Sequence, residues 1–136
     1  SDLEMRSLDG PLGEAGDDLA SIRSGLAAAV DCLEATTTWL LERGLADPRD
    51  ALAGATPYLR LFALVTGGWL MARQALAAQG GGADQPGLAA KVVTARFYVE
   101  QLLPAVHGLA PAVTAGSRDL FAVSAEALAG SRGPGE

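Results

Sequence analysis

The chain has 136 residues, a net charge of −6, one cysteine and one histidine; 49% of its residues are hydrophobic but only 5% aromatic. That length suits one domain whose core needs no disulfide or metal staple. The acidic balance lacks the basic footprint of a nucleic-acid binder, and a single cysteine, Cys32, excludes an intrachain disulfide and points to a reducing, cytoplasmic compartment.

Alanine and leucine dominate the apolar set, and both are strong helix formers, so an all-α fold is expected. The opening SDLEMRSLDG has no apolar run of the kind a secretory leader carries. Residues 1–15 contain Gly10-Pro11 and Gly13 without a sustained period and read as a linker. They precede a helical-bundle domain at 16–129 and a tail at 130–136, GSRGPGE, that reads as disordered.

The first long helix is expected from about Asp17 to Arg43. Leu19, Leu26, Leu33 and Leu40 recur every seven residues, with Ile22, Ala29 and Thr36 between them, which is the seam of a coiled coil or an antiparallel bundle. Asp17 and Asp18 suit the positive end of the helix dipole, and Gly44 reads as its stop. Asp47 then caps a second helix with Pro48 at its first position, and so short a connection makes the neighbours antiparallel.

The second helix is expected over about Pro48 to Ala78, kinked or split at Pro57. One stripe is Leu61, Val65, Gly68, Ala72 and Ala75; another is Phe62, Trp69 and Leu70, so the helix reads as central. Its most apolar run, Leu61 to Ala72 between Arg60 and Arg73, is shorter than the about 20 residues that cross a bilayer, and no membrane partner is expected. Gly67-Gly68 weakens an isolated helix by about 1 kcal/mol per glycine, an expense that close backbone approach by a neighbouring helix offsets.

After a loop over Gln79–Gly87, a third long helix runs toward Gly116, with Leu88, Val92, Ala95, Val99, Leu102, Val106 and Leu109 on its core stripe and bends at Pro104 and Pro111. Ser117 caps a last short helix, Arg118 to Leu128, with Leu120, Phe121 and Leu128 as apolar contacts. The expected architecture is therefore an antiparallel up-down bundle of three long helices plus a short C-terminal helix.

Catalytic and metal motifs are sparse. Cys32 and His107 stand alone in their residue types, so no zinc set can be assembled, and a Cys32–His107 nucleophilic pair needs the fold to bring the two together. Asp31, Glu34 and Glu42 read as a solvated face, since the Glu-x-x-His pairs of di-metal bundles are missing. Gly80-Gly81-Gly82 has neither the preceding strand nor the following Lys-Ser or Lys-Thr of a phosphate loop. Arg60, Arg73, Lys91 and Arg96, flanking the apolar helices near Tyr58, Trp69 and Tyr98, read singly as polar edges and together as an interface.

Two segments, ATPYLRLFALVTGGWLMARQAL (Ala55–Leu76) and KVVTARFYVEQLLPAVHGLAPAVTAG (Lys91–Gly116), resemble the extra C-terminal helical domain of large bacterial acyl-CoA dehydrogenases, including enzymes similar to methylthiopropionyl-CoA dehydrogenases. DCLEATTTWLL (Asp31–Leu41) is similar to that domain's first helix. The resemblance implies a non-catalytic piece of an FAD-dependent oxidoreductase of fatty acid metabolism. It implies no cofactor in this chain, the remaining enzyme domains as partners, and a role in packing and assembly of a dimer. No glutamate matches the family's catalytic base, so no catalytic residue carries over. The candidate interface and packing residues are Tyr58, Arg60, Gly67, Gly68, Trp69, Arg73, Lys91, Arg96 and Tyr98. The competing expectations are an independent helical module that forms a homodimer through the leucine seam, and a ligand-binding bundle, which the lack of converging polar groups disfavours.

Overall fold

The computed structural model describes residues 2–14, 16, 19–81 and 86–130, and these are helical with short connections and no strand. Two short helices, α1 (Asp2–Arg6) and α2 (Asp9–Glu14), precede the long α3 (Ala20–Ala46) and α4 (Pro48–Gly80). α5 (Pro86–Phe97) continues into a π turn (Tyr98–Leu102), and Pro104 opens α6 (Ala105–Val113). A 3₁₀ turn (Arg118–Phe121) and α7 (Ala125–Ala129) follow.

The heptad on α3 is the backbone of the core: Leu19, Ile22, Leu26, Ala29, Leu33 and Thr36 are buried. The start assigned to Asp17 and Asp18 lies outside the described residues. Gly44 does not stop the helix. It stays helical, and a Cβ there would come within 3.0 Å of the Ala51 Cβ, so its bareness admits the start of α4. The stop is Pro48, which holds Asp47 extended at φ −145° and ψ 108°. The Asp47 carboxylate then accepts from the Arg49 N–H at 3.0 Å, the cap expected from the sequence.

α4 is unbroken across Pro57. The missing N–H and the ring clash cost the helix at that turn, but the flanking residues are pinned from outside. Tyr58 Oη lies 2.8 Å from Thr37 Oγ1, and Gly54 lies against the Val113 carbonyl. Leu61, Val65, Gly68, Ala72 and Ala75 are buried, as their spacing predicts. The second stripe is not: Phe62 and Leu70 are 40% and 44% exposed and Trp69 is half-buried. α4 packs against α3, α5 and α6 through the face that carries Gly54, Leu61, Val65, Gly68 and Ala72, while Leu52, Leu59 and Leu70 on the opposite face are exposed. Because Ala, Gly and Thr extend the apolar run past its arginines, α4 is also long and apolar enough to cross a membrane by length and composition, with mean hydropathy 1.3 over its most apolar window.

Contacts step along the helices in opposite senses. Thr37 meets Tyr58, Leu40 meets Gly54 and Gly44 meets Ala51; on the other side Leu88 meets Gly81, Tyr98 meets Leu64, and Ser117 meets Asp50. α3 and α4 therefore run opposite ways, as do α4 and the α5–α6 segment. The third long helix is not continuous. The Pro104 ring displaces the carbonyl four residues back, and the Leu103 N–H reaches the Tyr98 carbonyl at 2.9 Å instead, which widens one turn to π geometry. Pro111 is accommodated inside α6.

Both ends differ from the sequence reading. Residues 1–15, read as a linker, form α1 and α2 over the described part, with Met5 and Leu12 buried. Met5, Leu8 and Leu12 have helical spacing, and the glycines around them are tolerated because the core supplies the burial. At the other end, Ser117 caps nothing: its N–H and Oγ both donate to Asp50 Oδ1, at 2.8 and 2.7 Å. A 3₁₀ turn and α7, capped by Ser124, replace one short helix. Leu120, Phe121 and Leu128 are exposed, not core contacts. The centre of the expected Gln79–Gly87 loop, including Gly82 and Asp84, and residues 131–136 of the tail lie outside the described residues; Gln79, Gly80, Pro86 and Gly87 are helical.

Candidate interface site

The inner face of α4 is a row of notches. A Cβ on Gly67 would overlap Tyr98 Oη, which donates to the Leu64 carbonyl at 2.9 Å. A Cβ on Gly68 would sit 3.1 Å from Leu103 Cδ2 and 3.6 Å from Leu26 Cδ1. The two glycines thus admit side chains from the π turn and its edge, not a neighbouring backbone as their pairing predicts. Close backbone approach occurs instead at a different glycine nearer the start of α4, Gly54, where a Cβ would overlap the Val113 carbonyl. Burial pushes the Tyr98 phenol above its ordinary pKa, so it remains a donor at neutral pH. These contacts make α4 a stiff central element, with one side committed to the fold.

The cationic candidates do not share one role. Arg73 lays its guanidinium over the Trp69 ring, 4.9 Å from the centroid. The Trp69 indole N–H beneath is enclosed and has no hydrogen-bond partner among the described residues. Arg60 and Lys91 are exposed, and Arg96 is half-buried and engaged. Tyr58 is half-buried, with its hydroxyl on Thr37 and its ring 6.3 Å from Phe62.

The outward face of α4 is apolar. At 100° per residue, Leu52, Leu59, Ala63 and Leu70 fall within about 20° of one line along the helix. That line lies opposite Leu61, Val65 and Ala72. Leu52 is 74% and Leu59 67% exposed. Phe62 flanks the line on the α3 side. Leu41 and Leu45, one and two turns beyond Thr37 on α3, continue the exposed apolar surface there. By contrast, Leu19, Leu26 and Leu33 are consumed inside the chain, so the leucine seam is not open to a partner.

Other polar groups serve the fold. Arg6 bridges Asp31, at 2.7 Å, and Glu34, so this pair of carboxylates anchors α1 and is not merely a solvated face. Arg23 holds Asp9 of α2 at 2.9 Å and draws its carboxyl below the usual range. Neither arginine was marked by the sequence reading, because an isolated cation on a helix gives no spacing signal. Cys32, Trp39 and His107 line one open groove of about 610 Å³ between α3 and α6. The Cys32 thiol points at the Val106 carbonyl, 3.7 Å away, and burial raises its pKa. A protonated thiol facing a carbonyl is not an activated nucleophile.

A flavin needs a deep cleft with backbone donors or cations set for its phosphates. The α3–α6 groove is lined by Ala35, Ala110, Pro111 and threonines whose hydroxyls already bond to their own helix carbonyls. The groove between α1, α2 and α3 holds Arg6 and Arg23, both already paired with carboxylates. Neither surface fits a dinucleotide.

A family model described as acetyl-CoA dehydrogenase C-terminal like matches residues 5–124. No curated protein sequence matches the chain. The matched span includes α1 from Met5 onward, so the family's unit includes the N-terminal helices that pack on α3.

Proposed function

The chain belongs to the acetyl-CoA dehydrogenase C-terminal-like family, and from that membership we propose that it is a non-catalytic helical domain of an FAD-dependent acyl-CoA dehydrogenase, one that packs on the enzyme's remaining domains and contributes to its assembly. The observation that carries this reading is the exposed apolar line on α4, set directly behind the glycine-notched face that fixes α4 in the core. Contiguous apolar surface of this kind marks an interaction site. Burying one such leucine fully contributes about 1.5–3 kcal/mol, so a few of them supply docking free energy without any charged anchor.

The FAD of the parent enzyme supplies the redox chemistry, accepting the hydrogens removed from the acyl chain. The two grooves described above do not suit the flavin, and in this reading the chain acts by position. Its acidic surface keeps the unit soluble, and the stiffness of α4 presents the apolar line as a fixed shape. The test is sedimentation of the purified chain with the remaining domains of the enzyme, while dehydrogenase turnover is followed. Association, with turnover found only where those domains are present, supports the reading. Turnover by the chain alone, or indifference to the other domains, would refute it.

A further inference from the structure

The groove between α1, α2 and α3 has a floor and a rim of different chemistry. Met5, Leu12, Leu26 and Val30 line it and are buried, so its floor is aliphatic. Its volume is about 270 Å³. A second hollow of about 440 Å³, beside Gly13 and Ser24, shares Leu12, Arg23 and Ala27 with it. Two guanidiniums stand at the rim, and their ion pairs leave donors over. Arg6 uses only Nη2 for Asp31 and Glu34. Arg23 gives Nε and Nη2 to Asp9 and keeps Nη1, which makes no hydrogen bond among the described residues. A Cβ on Gly13 would lie 3.0 Å from that nitrogen, so the bare glycine leaves it approachable.

These leftover groups are donors, so they select a head that accepts hydrogen bonds. Arg6 and Arg23 against Asp9, Asp31 and Glu34 sum to −1, two cations against three carboxylates. A planar monoanion matches a guanidinium edge, whereas the second charge of a phosphate meets the surplus carboxylate. The Arg23–Asp9 pair is about half exposed on both sides. Such a pair is weak, so Arg23 can turn its free edge to a ligand. We propose that this groove binds an unbranched aliphatic carboxylate of about eight to ten carbons, the length that fits its volume at roughly 30 Å³ per water-sized group. The carboxylate takes Arg23 Nη1 beside Gly13, and the chain lies along Met5, Leu12, Leu26 and Val30. The site is separate from the outward α4 face, so it stands or falls independently of the assembly role.

The experiment is an NMR titration of the ¹⁵N-labelled chain with decanoate, kept below its micelle concentration. Saturable shifts are expected in α1, α2 and the first half of α3, weaker for shorter homologues by up to about fourfold per buried methylene. Arg23→Gln weakens binding by about tenfold, the loss of a charge-assisted hydrogen bond, while the denaturation midpoint stays nearly unchanged. Ala27→Leu fills the groove from the α3 side and abolishes binding, with helical content by far-UV circular dichroism as the control for folding. Leu59→Asp, on the outward face of α4, binds as the wild type does. Absence of saturable shifts overturns the proposal, as do shifts centred on α4. Decanol binding as tightly as decanoate would remove the guanidinium from the site, and tighter binding of decyl phosphate would overturn the choice of a carboxylate.

Discussion

Gly67 and Tyr98 form a matched pair, a missing side chain opposite a hydroxyl that needs the space. Alanine is ordinarily better than glycine inside a helix by about 1 kcal/mol. Here the added methyl would overlap the Tyr98 hydroxyl, which is tied to the Leu64 carbonyl. Gly67→Ala is therefore expected to destabilise the chain by about 1–3 kcal/mol, the usual cost of overpacking. Tyr98→Phe removes the hydroxyl and its hydrogen bond, at about 1 kcal/mol. In the double variant the clash is gone and the helix propensity of alanine remains, so Gly67→Ala turns neutral or stabilising in the Tyr98→Phe background. Urea denaturation of the four proteins measures this coupling. Additive costs would show that Gly67 is not there for Tyr98.

Between elements, the contacts that matter divide by burial. α2 is held to α3 by the Arg23–Asp9 ion pair and by Leu12, but the ion pair is exposed while Leu12 is 1% exposed. Arg23→Gln is expected to leave the denaturation midpoint nearly unchanged, because an exposed ion pair is screened by solvent, whereas Leu12→Ala is expected to cost about 2–5 kcal/mol, read from the same midpoints. Equal costs would mean that the N-terminal helices are held electrostatically. At the far end, Gly116 turns left-handed at φ +75°, which lets the Ser117 N–H and Oγ converge on Asp50 at the start of α4. Those two hydrogen bonds hold the Asp50 carboxyl below its ordinary pKa. A depressed folded pKa gives stability that is complete above the unfolded value of about 3.9 and is lost as pH falls through the folded value. Asp50→Asn should therefore lower stability at neutral pH and flatten the acid limb of the stability–pH curve. An unchanged acid limb would remove Asp50 from the account.

The same division explains what the sequence could say. The α3 heptad, the Asp47-Pro48 cap and the inner α4 stripe were legible because each is a local pattern with a fixed period or position. The N-terminal helices were hidden because Gly10, Pro11 and Gly13 are poor helix formers, and only burial of Met5 and Leu12 overrides them. The π turn follows from Pro104, but its geometry depends on where Tyr98 finds its acceptor across the fold. Of the candidate site, Gly67, Gly68 and Tyr98 were found as types, while their pairing needed three dimensions. The second stripe of Phe62, Trp69 and Leu70 was taken to make α4 apolar all round and central, yet Phe62 and Leu70 are exposed, since periodicity reports a face and not whether anything covers it.

For the whole molecule, α4 is central to the core and yet keeps Leu52, Leu59 and Leu70 exposed on its outward face, which the proposed role covers from outside. The chain's stability is then linked to whatever covers α4, because a partner that binds only the folded form stabilises it by mass action. With the remaining enzyme domains as that partner, the melting temperature rises as they are added; a concentration a hundred times the dissociation constant adds about 2.7 kcal/mol. For a chain of this size each kcal/mol shifts the midpoint by roughly 2–8 °C, so the change is within easy reach of scanning calorimetry. Leu59→Asp should melt at one temperature with or without those domains, at or near the value of the wild-type chain alone, because Leu59 is already exposed in the single chain and makes no core contact to lose. A large drop in the chain alone would instead place Leu59 in the fold itself, and the outward face would have to be sought elsewhere on the surface.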